Sequence, residues 1–254
     1  MNQLLIMLLK EWTESIRTNK LIPIIIVFMI LGIMSPLTAI IMPDIIKNAL
    51  PSAVKDFNIP EATYIDSYIQ FFKNINQIGL IILVIIFSGI LTNELSRGTL
   101  LNLITKGLSR KYIILSKWII STIIWTIAYI IGALIQYSYT LYYFNNEGSH
   151  KVAAYIMSWL FGVMLLSIIM LLSTLLKNNI AVMLGILLIV VMMFILSMFK
   201  HIKDKLPLQL IQKNTDIMIE KIALSQMYTP IIITIMIILL SIILSIYRFN
   251  KAEI

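Results

Sequence analysis

The chain of 254 residues has no cysteine, only two histidines and just 13% charged side chains. Without cysteine there are no disulfides, no thiolate metal sites and no cysteine nucleophile. Two histidines, His150 and His201, are too few for a histidine metal cluster, and both fall between apolar runs. The shortage of charge accompanies 59% hydrophobic residues and a mean hydropathy of +0.94. A soluble domain is nearer 45–50% apolar and about 25% charged, so a soluble enzyme is excluded. Disorder is excluded as well, because disordered chains are poor in large apolar residues. An all-α polytopic membrane protein remains.

Three further absences narrow the function. No G-x-x-x-x-G-K-[ST] phosphate loop occurs, so ATP is not bound through that device. No H-E-x-x-H pair or histidine–carboxylate cluster supports a metalloprotease. No Asp or Glu lies deep in an apolar run, and Glu94 sits only at the end of one. Ion-coupled transport and intramembrane hydrolysis need titratable groups within the spans. The chain is therefore expected to carry no catalytic residue, metal or cofactor, and to draw its power from elsewhere. Its net charge of +8 lies between the apolar segments, where it reads as topology and lipid-headgroup contact and not as nucleic-acid binding.

What is present is a run of long apolar segments. A helix needs roughly 20 apolar residues to cross the ~30 Å hydrocarbon core. Six fit, at about 21–42, 75–93, 118–144, 152–176, 180–199 and 228–247. Pro36 is expected to kink or break the first. Residues 1–20 place Leu5, Leu8, Leu9, Trp12 and Ile16 at helical spacing, interrupted by Lys10, Glu11, Glu14, Arg17 and Lys20. That pattern predicts an interfacial amphipathic helix. Residues 43–74 and 200–227 read as polar outer segments, the second rich in lysine at 200, 203, 205, 213 and 221. One membrane domain, 1–254, is the economical description. Six spans put both termini on one side, which carries eleven Lys and Arg against nine on the other. The excess favours cytoplasmic termini in a bacterial cell membrane, although the lysines of 200–227 oppose it.

The informative polar stretch is 93–117. Glu94 closes a span, Gly98 and Thr99 allow a turn, and Leu100, Leu101, Leu103 and Ile104 make a short apolar stripe. Gly107, Ser109 and Arg110 follow, and the chain re-enters the membrane at Lys117 and Trp118. This reads as a short amphipathic helix bracketed by turns. The stretch resembles the loop between the second and third helices of type 2 ABC exporter permeases. In that family an acidic residue precedes Gly-Thr-Leu, and Ser-Arg and then Lys follow. Here those positions are Glu94, Gly98-Thr99-Leu100, Ser109-Arg110 and Lys117. The surface helix and six spans fit the same family, whereas the long 43–74 segment and the lysines of 200–227 depart from its compact members.

The resemblance implies a coupling helix over 97–104, with Glu94, Arg97, Gly98, Thr99, Leu100, Leu103, Ile104, Arg110 and Lys117 as its residues. Such a helix would fit a cleft on a separate nucleotide-binding subunit. Two cytoplasmic ABC ATPase subunits would bind ATP and Mg, and a second permease, identical or related, would complete the pathway. The resemblance further implies an amphipathic cargo, foremost a peptide toxin or antimicrobial, with lipid-linked polymers, drugs and sodium as rivals. A non-transporting scaffold or sensor partner is the alternative class.

On the third span Tyr129, Gly132, Gln136, Tyr139 and Tyr143 share one helical face by spacing. That face reads either as a pathway or dimer seam, or as ordinary packing in which Gly permits close approach and Gln bonds a neighbour.

Overall fold

The structure is a computed structural model that describes residues 3–49, 60–100, 105, 107–144 and 148–251. Every regular element among the described residues is helical. A backbone surrounded by lipid must satisfy its own polar groups, and a helix does so within one segment. Even the β-branched runs of Ile and Val are therefore helical.

The surface helix spans Gln3–Arg17. Among the described residues six helices are long and apolar enough to cross a membrane: Leu21–Asn48, Tyr64–Ser96, Arg110–Tyr143, Lys151–Leu175, Asn179–Leu196 and Leu224–Lys251. Several extend beyond their sequence-predicted bounds. The first continues as one helix to Ala49 through Pro36 and Pro43, so the break expected at Pro36 does not occur. Proline removes one backbone donor, a loss that neighbouring groups in a membrane helix can offset. The second begins at Tyr64, because Ser67, Tyr68, Phe71 and Phe72 give the supposed polar segment a buried face. A π-helical turn, Ile75–Gly79, joins that helix to Leu80–Phe87. The third starts at Arg110 and runs 34 residues, or roughly 51 Å at 1.5 Å per residue.

The first and third spans cross at two glycines. A Cβ on Gly132 would stand 2.7 Å from the Phe28 carbonyl oxygen, and one on Gly32 would stand 2.5 Å from that of Gly132. Only a missing side chain allows this approach. Beside the crossing, Phe28 meets Trp125 edge-on at 5.2 Å. The fourth span is the most enclosed and the fifth the least, with 72% and 17% of their apolar windows buried.

The 200–227 segment, polar in its sequence, forms short helices and is partly buried. Its short helices Gln209–Gln212 and Asn214–Met218 bury Leu210, Ile217 and Met218. Ser149 N–H donates to the Met218 carbonyl at 3.0 Å, fastening the segment to the turn before the fourth span. Lys200, Lys203, Lys205 and Lys221 remain exposed, and Lys213 pairs with Asp204 at 2.9 Å.

Candidate functional site

The surface helix turns only part of its apolar stripe outward: Leu5, Leu9 and Ile16 are exposed, Leu8 and Trp12 are half-buried against the core, and Met7, Glu11 and Ser15 form the buried side. A helix lying at a membrane surface has lipid available for its leucines and presents its charges to the protein.

Glu11 meets two other elements there. Lys117, eight residues into the third helix, is fully buried. Its Nζ lies 3.0 Å from Glu11 Oε2 and 2.9 Å from Glu94 Oε1. Lys10 Nζ closes the cluster at 2.9 Å from Glu11, 2.7 Å from Glu14 and 2.5 Å from Glu94. The carboxylates of Glu11, Glu14 and Glu94 lie within 4.8 Å of one another. That spacing could hold a metal ion, but two ammonium groups already stand among the three acids.

Burial alone would pull the Lys10 ammonium down. The attraction of Glu11, with hydrogen bonds to Glu11, Glu14 and Glu94, outweighs it and holds Lys10 above its ordinary range. Burial pushes Glu14 up, yet the hydrogen bond from Lys10 and the charges of Lys117 and Lys10 bring it below the usual carboxylate range. Lys20 is held low by burial and by the like charge of Lys117. A fully buried ammonium is tolerable only when paired. Lys117 therefore clamps the surface helix, the end of the second span and the third span together.

The segment resting on this clamp is the motif. Thr92–Ser96 is helical, and Glu94 is buried within it. Gly98 takes φ +69, the left-handed region that favours glycine, and turns the chain. Thr99 Oγ1 donates to the Glu94 carbonyl at 3.3 Å. Leu100 is fully buried, whereas Arg97 and Thr99 face outward. Leu103 and Ile104 lie outside the described residues. Arg110 reaches the last turn of the sixth span, donating to the carbonyls of Phe249 at 2.9 Å and Asn250 at 3.2 Å. Asn179, opening the fifth span, donates to Asn93 Oδ1 at 2.7 Å and accepts from Thr92. The third and fifth spans and the surface helix thus meet the end of the second span at residues 92–96, while Arg110 ties the start of the third span to the sixth.

Of the motif residues, Glu94 and Lys117 are brought into direct contact, while Arg110 ties a different element. The sequence reading did not single out Lys10, Glu11 and Glu14 as site residues. No local pattern marks Glu11, whose partner Lys117 lies 106 residues away in the chain.

Packing splits the third-span face. Tyr129 and Gln136 are buried within this chain, and Gly132 forms the crossing with Phe28. Gln136 Nε2 donates to Ser67 at 3.1 Å and to Thr140 at 2.8 Å, and its carbonyl accepts from Tyr155. Tyr129 donates to the Tyr155 carbonyl at 2.9 Å. Tyr139 and Tyr143 stand exposed, their rings 6.3 Å apart and tilted at 38°.

Six apolar helices and a charged clamp at one end of the bundle define a multi-pass membrane component. Residues 5–254 match the family described as ABC-2 family transporter protein; the chain belongs to that family. It is also similar to the uncharacterized transmembrane protein YxlG of Bacillus subtilis (strain 168), with 27% identity over 157 residues. The match covers 61% of this chain and 60% of that protein, so it spans about three-fifths of the relative's length.

Proposed function

We propose that this chain is the transmembrane subunit of an ATP-driven exporter and receives the work of ATP at residues 97–104. Two separate ABC ATPase subunits supply the nucleotide sites, with ATP and Mg bound there. A second permease, identical or related, completes the route, and both termini face the cytoplasm. The chain itself is a permease and performs no chemistry.

One observation carries the reading. Lys117 is fully buried between Glu11 and Glu94, directly behind the Gly98 turn. Closure of the ATPase pair presses on Arg97, Thr99 and the segment after Leu100. The ion cluster prevents that segment from yielding alone, so the surface helix and the second and third spans move as a rigid body. The hydrogen bonds of Asn179 and Arg110 carry the displacement to the fifth and sixth spans.

The cargo is an amphipathic molecule, foremost a peptide toxin or antimicrobial of the phenol-soluble modulin kind. Family resemblance and the scarcity of charge within the spans support that reading, since a path with little fixed charge suits an amphiphile. The test pairs Leu100→Asp and Gly98→Pro with two readouts, ATPase co-purification and peptide export. The expected outcome is loss of both in each variant, with membrane insertion intact. Intact ATPase association and export in both variants would make the chain a scaffold or sensor partner instead.

A further inference from the structure

A groove of about 580 Å³ runs between the second, fourth and fifth spans. One end is polar, with Lys73, Asn76, Gln77 and Gln212, and the rest is walled by residues such as Val84, Ile85, Leu187 and Val190. We propose that this groove holds one acyl chain of an anionic phospholipid, with the headgroup at Lys73, from the leaflet on the side of residues 197–227.

Length supports that occupant. Along the second span the lining runs from Lys73 to Ile85, and along the fifth from Phe194 back to Met183. Each is roughly 16–18 Å at 1.5 Å per residue. One leaflet of a ~30 Å hydrocarbon core is about 15 Å. The groove is therefore about as long as the hydrocarbon of one leaflet, which suits one lipid tail.

The polar end is built. The π-helical turn Ile75–Gly79 adds a residue to the helix between Lys73 and Leu80, a device frequent at functional sites. Asn76 Nδ2 donates to the Ile211 carbonyl at 3.0 Å, and Asn76 Oδ1 accepts from Ser158 at 3.2 Å. Those bonds hold the 209–212 helix over the groove mouth and place Gln212 opposite Lys73. Lys73 is exposed and forms no ion pair among the described residues, so its charge is available to a phosphate. Gln77 and Gln212 supply amide donors at the same end of the groove.

The proposal does not depend on the coupling reading, and its test needs no ATPase. The purified chain is washed in detergent, offered phosphatidylglycerol and phosphatidylcholine of the same chain length, and examined by native mass spectrometry. Wild type is expected to retain one phosphatidylglycerol per chain in preference to phosphatidylcholine. Lys73→Gln should lower that preference roughly fivefold, which corresponds to about 1 kcal/mol for one basic residue at an anionic surface. Leu187→Trp, at an exposed lining position, should fill the groove and reduce retention of both lipids. Melting temperature should be unchanged in either variant. Equal retention in all three proteins would overturn the proposal. So would displacement of the lipid by inorganic phosphate alone, or by a helical amphipathic peptide.

Discussion

Lys117 decides the energetics at the scale of single residues. Removing one partner of a buried ion pair leaves an uncompensated charge and costs about 3–5 kcal/mol. Lys117→Met should thus strip Glu11 and Glu94 of the buried one of the two cations they share and destabilise the protein by up to that order, read as a lower melting temperature in detergent. Glu94→Gln should cost less, because Glu11 still pairs with Lys117. The double variant should fall short of the sum of the singles, with a coupling energy of about 1 kcal/mol or more. Strict additivity would mean that the two side chains do not share one cluster. Gly98 offers a milder perturbation. Its φ of +69 makes Gly98→Ala cost about 1–2 kcal/mol through backbone strain alone, since a Cβ there meets no atom within 4 Å.

Among the elements, the surface helix should respond to pH. Glu14 is held below its usual range, so folding favours its ionised form. That contribution is present above the ordinary carboxylate range and disappears as pH falls through the lowered value. Lys10 is raised, so its contribution is present below the ordinary lysine range and is lost only under strongly alkaline conditions. The helix should stay docked at neutral pH and loosen on acidification. A nitroxide on Thr13→Cys, in a chain with no other cysteine, should grow more mobile at low pH. No change in mobility would contradict the cluster's role.

The crossing of the first and third spans makes a separate prediction at the same scale. Gly132→Leu drives its side chain into the Phe28 backbone and should lower the yield of folded protein sharply, measured by size-exclusion profile. Gly32→Ala, which would meet the Gly132 carbonyl at 2.5 Å, should act in the same direction. These elements also show what the sequence could convey. Six apolar runs announce six helices, because the bilayer imposes both length and helicity. The ends were harder to read, since Tyr64–Asn74 alternates polar and aromatic residues and only tertiary burial of Phe71 and Phe72 shows it to be membrane helix. Glu94 and Lys117 were legible through family resemblance. Their partner Glu11 was not, because a contact spanning more than a hundred residues leaves no local pattern.

For the whole molecule, the scarcity of charge that places the chain in a membrane also concentrates its meaning. Five of the described charged residues, Lys10, Glu11, Glu14, Glu94 and Lys117, meet at one point. The surface helix, the 92–100 turn and the openings or ends of the third, fifth and sixth spans share that end of the bundle. A device that receives force at one place and distributes it to several helices needs such a convergence. The exposed fifth span leaves a broad apolar flank for lipid or a second permease.

The central claim is that a separate ATPase bears on residues 97–104 and that the buried cluster transmits its motion. Cross-linking from single cysteines, in the chain otherwise free of them, tests it most directly. Arg97→Cys and Thr99→Cys, carrying a short photo-cross-linker in bacterial membranes, should capture an ATP-binding subunit, while Ile202→Cys at the opposite end should not. Capture at 97 and 99 should change when ATP is replaced by a non-hydrolysable analogue, and Lys117→Met should abolish that nucleotide dependence. Absence of any ATP-binding subunit at 97 and 99, or equal capture from 202, would contradict the account.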